Sequence, residues 1–587
     1  MIHRDVEILI IGAGTSGVAA AITALRRGRS VALVEPTPWI GGMLTAAGVS
    51  ATDGNHMLPS GLWEEFRARL RAHYGGSDAL ATGWISRTLF EPEVGERILR
   101  EMLRDAAGEQ SEPVLIVEHQ LERISRRGSR LVGATFTATR LTDRPHAEVT
   151  VEVHAQIVIA ADEYGDTIHA AGLPTRYGLE GRAVTGESAG PWSPHPMPQD
   201  LSYVATVGPI ELSAVHGSEP LPSFPRILDD NRLEWREFFE YAMLPGGRFM
   251  LNWPIYGNDV GADYLANPTD RSHRSRIFQT AKHKTLQLLT ELHDRFPNAQ
   301  LTTEHARYPT RDSLPPLPYI REARRFSGMR LVTVDALVDP FDPKHRDLLS
   351  EAVAVGNYPL DHHRREDPTA PQIEFPAIPA FSIPLGALIG PELENLIVAE
   401  KSISVSGMVN GATRLQPVTL LVGQAAGTAA CVALDMGCSP QVVPVREVQR
   451  ELITDNAMLM PYTDAPPQHP DFLPLQWAGV LRLLQGEPRA ENWENHMLIR
   501  PHDPARREEM AGLTLSSLRA LPPEKIIARA HGVAATHLVQ RLGARHILHR
   551  LRRSQAGTML RSDAALRAVL TANDPSQQRR THTWTTD

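Results

Sequence analysis

The sequence predicts an α/β fold whose first domain is a parallel sheet with helices packed on it. Residues 6–11 are an apolar, β-branched run that leads into the glycine-rich segment 12–17. Residues 18–27 have the alanine-rich pattern of a helix, and residues 30–35 form a second apolar run that ends in an acid. Strand, glycine turn, helix and strand in this order are typical of a βαβ unit that binds a dinucleotide.

Each position of the glycine segment has a predicted role in that unit. Gly12 allows the tight turn, and Gly14 lets a diphosphate approach the backbone. Gly17 lets the helix pack close to the strand. We expect Thr15 and Ser16 to lie at the helix N-terminus, where free N–H groups point at the phosphates.

The residues after the second strand favour FAD over NAD. Glu35 is expected to accept hydrogen bonds from two ribose hydroxyls of an adenosine; a solvated acid at the strand end is the alternative reading. Pro36 follows, and then Gly41, Gly42 and Met43. This stretch resembles FAD enzymes of the glutathione reductase type, in which a Gly-Gly pair lies against the cofactor. The resemblance implies FAD, since NAD domains usually run straight into a helix there.

Composition narrows the class of protein. The chain has 587 residues, enough for two or three domains, and its formal charge of −8 gives no overall field for nucleic acid or a membrane. Its two cysteines, Cys431 and Cys438, form no CxxC pair, so we expect no metal site. The apolar stretch 418–434 is interrupted by glycines and favours a buried helix over a membrane span. We expect a cytoplasmic protein without a secretion signal.

A second cofactor-binding segment follows a group of alternating strands. We expect helices at 61–74 and 92–108, then strands at 114–117, 130–139 and 147–154. Leu121 falls where backbone usually meets the adenine. Residues 155–166 then resemble the second flavin fingerprint: Ala160 and Ala161 would pass under the diphosphate, and Asp166 would contact the ribityl chain or phosphate.

The rest of the chain divides by composition. We predict a Rossmann-type FAD-binding domain from residues 1–175 and 381–440, an inserted α+β substrate or lid domain at 176–380, and a helical C-terminal domain at 441–572. Residues 573–587 lack periodicity and are predicted to be frayed.

The segment before the long helix 418–436 is expected to lie under the flavin. A strand at 395–399 leads to it, and Pro417 suits a helix start because its φ is fixed and its N–H is missing. The helix N-terminus would stabilise negative charge at flavin N1 and C2=O. An ordinary strand-to-helix connection is the alternative. The expected contacts are Gly407, Asn410, Gly411, Ala412, Thr413, Arg414, Gln416, Pro417 and Val418.

Several segments occur together in an order that indicates a family. They are residues 41–45, 252–254, 319–325, 356–361 and 410–418. As an ordered set they resemble bacterial FAD-dependent oxidoreductases with the glutathione-reductase-type fold, including members called xanthan-lyase-like. In the tail, residues 462–466, 475–486 and 500–509 resemble one S-layer-homology helical repeat.

The chemistry expected from these features is substrate oxidation. No second GxGxxG unit follows residue 17, so electrons are expected to come from an organic substrate and to leave to O2 or another acceptor. The reaction would take a hydride from a C–H next to OH or NH onto flavin N5, with a base taking the proton. The candidates are His363, which the resemblance favours, and His362, both after Tyr358; exposed loop histidines are the alternative.

Other candidates for substrate binding remain open in the sequence. Arg321 would bind a substrate carboxylate or form a structural pair with Glu322. Asn252, Trp253 and Tyr256 would line the pocket or pack in a core. Arg414 would sit by the flavin C2=O or in a salt bridge.

Two other functions compete with the oxidase or dehydrogenase. One is an FAD-dependent monooxygenase with externally delivered reductant, and the other is a flavin-carrying binding or assembly protein. The basic faces of residues 513–570 favour a solvated surface or subunit contact, hence a possible homo-oligomer, over nucleic-acid binding.

Overall fold

A computed structural model describes residues 2–108, 114–139, 150–228, 233–303, 307–482, 484–491 and 493–500. Within these residues the strands, β1 to β17, are Ile2–Ile11, Val31–Val34, Val114–Ile116, His119–Arg127, Arg130–Ala138, Val151–Ala160, Thr175–Arg176, Leu201–Ser202, Ala205–Val207, Phe249–Leu251, Asp259–Val260, Arg325–Phe326, Ala352–Gly356, Phe381–Pro384, Leu396–Val398, Glu487–Arg489 and His496–Leu498. The helices, α1 to α13, are Thr15–Arg26, Gly61–Tyr74, Pro92–Ala107, Asp166–Ala170, Arg182–Thr185, Trp235–Glu240, Arg271–Arg295, Val334–Val338, Arg346–Ser350, Gly407–Thr413, Gln416–Asp435, Val445–Thr454 and Phe472–Val480.

The main sheet has the order β3-β2-β1-β6-β5-β4, and β15 also pairs with β6. Strand β1 is parallel to both β2 and β6, with Ile11 opposite Val34 on one side and Ala160 on the other. Strand β15 is parallel to the last residues of β6 and places Val398 beside Ala160. Because parallel strands end at one edge, the glycine turn after β1 meets the ends of β6 and β15. This arrangement confirms the predicted α/β class.

Two local predictions differ from the structure. Residues 147–154 and 155–161 were expected to be separate elements, but the described part of them is one strand, Val151–Ala160. The first half of this strand pairs with β5, and its second half pairs with β15. The expected loop at 407–414 is helix α10, Gly407–Thr413. Ser406 explains the helix start, because its hydroxyl accepts the N–H of Val409 at 3.2 Å.

The apolar core consists mainly of two large clusters of buried side chains and a smaller one on the other face of the sheet. One surrounds α1 and α11 and includes β13 and β14. The second comprises side chains between residues 201 and 320, together with Met43 to Ala51 and Leu89. The predicted lid segment 176–380 therefore contributes to both large clusters, since residues 332–380 pack in the first. The proposed domain division stays a prediction.

The tail also contains β structure within its described part. Strands β16 and β17 form an antiparallel hairpin after α13, where only helices were expected. The resemblance to an S-layer repeat stays a prediction, and residues 501–587, including the expected frayed end, lie outside the described residues.

Helix α11 packs directly on α1 through glycines. A Cβ atom at Gly423 would collide with the backbone of Ser16, and one at Gly427 would lie 2.6 Å from the carbonyl oxygen of Ala20. Helix α11 is long and apolar enough to cross a membrane. However, 94% of its most apolar 18-residue stretch is buried inside the protein. It is therefore a buried core helix, and it packs against α1 next to the glycine turn.

This close contact leads to a stability prediction. Replacing Gly423 by alanine should lower the free energy of unfolding by about 2 kcal/mol or more, because the methyl group must push two buried helices apart. Met436→Ala, at the exposed end of α11, serves as the control and should change stability by less than about 0.5 kcal/mol. Chemical denaturation measures both. Equal stability of Gly423→Ala and the parent protein would contradict the packing described.

Candidate functional site

The glycine turn is enclosed by backbone on two sides. Gly12 has φ +97°, and a Cβ atom there would collide with the carbonyl of Ala161. A Cβ at Gly17 would collide with the carbonyl oxygen of Gly12. On the other side, the Gly41 N–H donates to Ala13 O at 2.7 Å. No side chain larger than hydrogen fits at these turn positions, which leaves a cradle lined by backbone N–H groups.

The neighbouring predicted contacts cluster around this cradle. Thr15 Oγ1 donates to Gly41 O at 3.1 Å, and Gly41 and Gly42 have φ of 103° and 52°. Ala160 and Ala161 end β6 directly beneath the turn, where the N–H of Ala161 donates to Ile11 O. Met43 is buried in the second apolar cluster. The predicted Gly-Gly stretch thus lies against the glycine turn.

Glu35 ends β2 beside the turn and is buried. Its carboxylate accepts the Ala13 N–H at 2.8 Å and both the N–H and the hydroxyl of Thr37, at 3.1 and 2.9 Å. Burial raises the pKa of Glu35 to about 7, although these hydrogen bonds favour the ionised form. The solvated strand-end acid considered for this residue is therefore excluded by its burial.

Three other predicted contacts have protein partners. Pro36 O accepts the hydroxyl of Thr139 at 2.7 Å, and Leu121, in β4, uses its carbonyl to accept Arg271. Asp166 receives two hydrogen bonds from Arg274, at 2.7 and 3.0 Å, and one from Arg324 at 2.6 Å. In this structure the Asp166 carboxylate is thus held by two arginines.

Two glutamates and a lysine adjoin the cradle at the end of β15. Glu400 Oε2 accepts the N–H of Ser16 at 2.9 Å, and its Oε1 accepts Lys401 Nζ at 3.2 Å. Lys401 also donates to Glu163. The hydroxyl of Ser16 and Oε1 of Glu163 are buried without a partner. Sequence reasoning missed this group, because 384 positions separate Ser16 from Glu400.

The glycines of α10 approach protein and not an open cavity. A Cβ at Gly407 would collide with Gly178 O, and one at Gly411 would lie 2.6 Å from Nε2 of His362. Both glycines therefore allow close contact with the neighbouring polypeptide, and their expected contact with the flavin stays a prediction.

The start of α11 has the buried polar character expected of a binding surface. Gln416 and Pro417 form its first turn, and Gln416 Nε2 donates to Val49 O and Ala51 O at 3.4 and 3.3 Å. Oε1 of Gln416 and Nδ2 of Asn410 are buried without partners. Ala412, Thr413 and Val418 are fully buried beside them.

His363 lies between two carboxylates. Its Nε2 is 3.0 Å from Asp361 Oδ2, and its Nδ1 is 3.4 Å from Asp259 Oδ2. Each carboxylate has its own arginine: Arg414 is 2.7 Å from Asp361, and Arg321 is 3.1 Å from Asp259. We name these five residues the histidine cluster. The sequence predicted His363, Arg321 and Arg414 but gave no signal for Asp259.

The arginines keep both carboxylates of the histidine cluster charged. Burial raises the pKa of Asp259, but the charge of Arg321 and the interaction with His363 outweigh it and lower the pKa to about 2. Asp361 is partly buried, which raises its pKa, yet His363 and Arg414 hold the pKa well below the usual range. The cluster thus offers a histidine with two ionised acceptors.

Asp53 and Tyr358 adjoin the histidine cluster. Burial and the charge of Asp361 raise the pKa of Asp53 to about 7, while Arg414 and His363 act in the opposite direction. Burial also raises the pKa of Tyr358, which keeps its phenol protonated, and the Tyr358 ring packs 5.4 Å from that of Trp493. These groups bring a third carboxyl group and a phenol near the histidine cluster.

The side chain of His362 is held by contacts with other parts of the protein. Its Nε2 is 2.9 Å from Met408 O, and its ring stacks on Phe375 at 4.5 Å. Burial lowers the pKa of His362 to about 3, so the ring is neutral at physiological pH. It packs α10 against the segment that carries His363.

The salt bridges of Arg321 and Arg414 bear on the alternatives predicted for these two residues. Arg321 does not pair with Glu322; Glu322 instead binds Arg325 and Arg364. Arg414 is in a salt bridge with Asp361 and also donates to Tyr319 Oη at 2.6 Å. Both predicted substrate or flavin contacts therefore have buried protein partners.

The predicted pocket wall divides between core and surface. Trp253 is buried in an aromatic group with Phe238 and Tyr241, at ring distances of 4.9 Å. Tyr256 has φ +54° and lies beneath the guanidinium of Arg226. Asn252 Oδ1 is buried without a partner. Trp253 thus follows the core-packing alternative.

Comparison with known proteins defines the class. The sequence profile of the FAD dependent oxidoreductase family matches residues 7–452. The chain belongs to this family, which confirms the predicted FAD-dependent oxidoreductase; the bacterial origin and the S-layer-like tail stay predictions. None of the curated proteins matches the chain.

The chain also matches solved structures, at low sequence identity and low TM-score. A geranylgeranyl bacteriochlorophyll reductase-like protein from Thermoplasma acidophilum is 11% identical, with a TM-score of 0.32 over 92% of this chain and 100% of that one. The flavin-dependent brominase Bmp2 is 10% identical, with a TM-score of 0.32 over 81% and 88%. The rebeccamycin biosynthetic enzyme RebC is 18% identical, with a TM-score of 0.22 over 36% of this chain and 40% of RebC. These similarities concern the fold alone.

The residues present fit FAD at several points. At Gly12 a Cβ atom would collide with backbone, and buried unpaired atoms of Ser16, Asn410 and Gln416 lie among the predicted contacts. Glu35 is placed to hold the adenosine ribose at the end of β2. At the α1 N-terminus, the position predicted for the diphosphate, the carboxylate of Glu400 accepts the N–H of Ser16.

Glu35 leads to a pH prediction for the flavin-free protein. Its pKa is about 7 when folded and 4.5 as the reference value, so the folded state binds the extra proton between these values. Stability therefore falls as pH rises from 4.5 to 7. Glu35→Gln removes this loss, and the variant should gain up to about 3 kcal/mol over the parent across that window. Urea denaturation at several pH values measures it; a pH-independent difference would contradict the assignment.

Proposed function

We propose that this flavoenzyme oxidises a small polar or natural-product substrate by removing a hydride from a C–H next to an OH or NH group. FAD, when bound, supplies a two-electron acceptor at its N5 atom. The substrate loses a hydride from carbon and a proton from oxygen or nitrogen, and leaves as a carbonyl compound or imine. O2 or another small acceptor then takes the two electrons.

The observation that carries this proposal is the histidine cluster. His363 takes the substrate proton at Nδ1, where the substrate replaces the longer contact with Asp259 (3.4 Å). Removing that proton makes the neighbouring C–H a better hydride donor. The imidazolium that results is stabilised by Asp361 at 3.0 Å and Asp259 at 3.4 Å. Since the pKa of Asp259 is lowered by Arg321 and His363, and that of Asp361 by His363 and Arg414, both carboxylates carry their charge at neutral pH.

The surrounding groups orient the reaction. Arg321 and Arg414 are buried and fixed by several hydrogen bonds, so they hold the two aspartates in place around His363. The first turn of α11 carries the positive end of a helix dipole, which would favour negative charge on a flavin held beside it.

The role of His363 is tested by replacement. His363→Gln should lower the rate of substrate-dependent flavin reduction by about 100-fold or more, because the proton acceptor is lost. The visible flavin spectrum of the purified variant should be unchanged, since His363 is assigned to the substrate proton. His216→Gln, at an exposed position in the lid segment, is the matched control and should reduce flavin at the parent rate. Flavin reduction at the parent rate in His363→Gln would contradict the assignment of His363 as the proton acceptor.

The reaction class is tested by anaerobic mixing with a panel of alcohols, amines and hydroxylated natural products. Bleaching of the flavin band without NAD(P)H is the expected result for members of the substrate class, followed by recovery when O2 is admitted. Reduction that requires NAD(P)H would favour a monooxygenase instead. A flavin that none of these reductants bleaches would indicate a binding or assembly role.

A further inference from the structure

The backbone at Glu400 is unusual for a buried acid. Its φ is +56°, in the left-handed region that favours glycine, and the residue is fully buried. An L-residue with a Cβ atom adopts this conformation at a cost in conformational free energy. The cost is offset by what the side chain contacts, since the turn directs the carboxylate towards α1.

The Glu400 carboxylate occupies the anion position of the cradle. Oε2 accepts the Ser16 N–H at 2.9 Å in the first turn of α1, a helix of 12 residues. A Cβ atom at Gly14 would lie 3.3 Å from the same oxygen. Free N–H groups and the helix dipole make this position a binding site for phosphate. The negatively charged carboxylate of Glu400 therefore occupies the position where a diphosphate would bind.

Glu163 provides an independent indication of a ligand at the same place. Its side chain is 9% exposed, and its Oε1 atom is buried without a hydrogen-bond partner. That atom is directed into the cradle, because a Cβ at Gly42 would collide with it and one at Gly14 would lie 3.4 Å away. Its other oxygen accepts Lys401. A buried acceptor without a partner calls for a ligand or a proton.

We propose that Glu163, Glu400 and Lys401 form a carboxylate plug that occupies the diphosphate position in the flavin-free protein. FAD binding then moves Glu400 off the Ser16 N–H, replaces its carboxylate by a phosphate oxygen and adds a proton to the plug. The inference concerns cofactor entry and is independent of which substrate the enzyme oxidises.

The charges of the plug explain the coupling to a proton. Two carboxylates and one ammonium group carry a net charge of −1 when all are ionised, next to a ligand with two phosphate charges. Burial already raises the pKa of Glu163, and the charge of Lys401 opposes it. The other acidic groups that act on Glu163 are Asp162 and Glu35, which add to the repulsion. FAD should therefore bind more tightly as pH falls.

The plug also weakens FAD binding at any pH. FAD binds only the fraction of molecules in which Glu400 has left the Ser16 N–H, so the apparent Kd is raised by the inverse of that fraction. Removing the carboxylate should make the competent form dominant. Glycine suits φ +56° at position 400, so Glu400→Gly should fold at least as stably as the parent protein.

The test is an FAD titration of the flavin-free protein, followed by quenching of flavin fluorescence, at pH 6, 7 and 8. Glu400→Gly and Glu400→Gln should bind FAD roughly tenfold tighter than the parent at pH 8. Their Kd should also vary less with pH, because one charged carboxylate of the plug is gone. Thermal unfolding of each flavin-free variant confirms that it is folded.

A second buried acid serves as the control. Glu187 accepts the N–H of Val334 and the hydroxyl of Ser406, away from the cradle, so Glu187→Gln should leave both the Kd and its pH dependence unchanged. FAD binding by the Glu400 variants that is no tighter than that of the parent would overturn the proposal. So would a parent Kd that is the same at pH 6 and pH 8. Neither readout depends on turnover, so the proposed substrate chemistry stands or falls separately.

Discussion

The contact between the glycine turn and the end of β6 is the constraint on which the site depends. Gly12 lies so close to Ala161 that a single methyl group would separate them, and Gly17 lies equally close to Gly12. Helix α11 adds a second constraint, because Gly423 brings it against Ser16 from the other side. These contacts fix the N-terminus of α1 at the edge of the sheet, where several strands end. The anion position follows from that placement.

The two ends of the proposed reaction are built by different physical means. Around the cradle, backbone N–H groups and glycines create a place for a diphosphate with few side chains. Around His363, by contrast, two arginines and two aspartates balance one another in a buried setting. Such a network is costly to desolvate, yet it fixes the histidine between two charges. In the proposed function, the first arrangement would hold the cofactor and the second would accept a proton.

The sequence predicted what depends on neighbouring positions and missed what depends on distant ones. The βαβ unit was predictable because strand, glycines and helix follow one another, and Glu35 ends the next strand. Asp259 and Glu400 gave no signal, since their partners Arg321 and Ser16 lie far away in the chain. Helix α10 was missed because its glycines indicate a loop, whereas here they allow close contact with Gly178 and His362.

The most direct test of this account is a crystal structure of the protein with FAD. We expect the adenosine ribose at Glu35 and the diphosphate on the N–H of Ser16, with the Glu400 carboxylate displaced from it. The flavin ring should lie between the start of α11 and the histidine cluster, within reach of a substrate held by His363. FAD bound elsewhere, or a Glu400 carboxylate still on Ser16 in the complex, would contradict it.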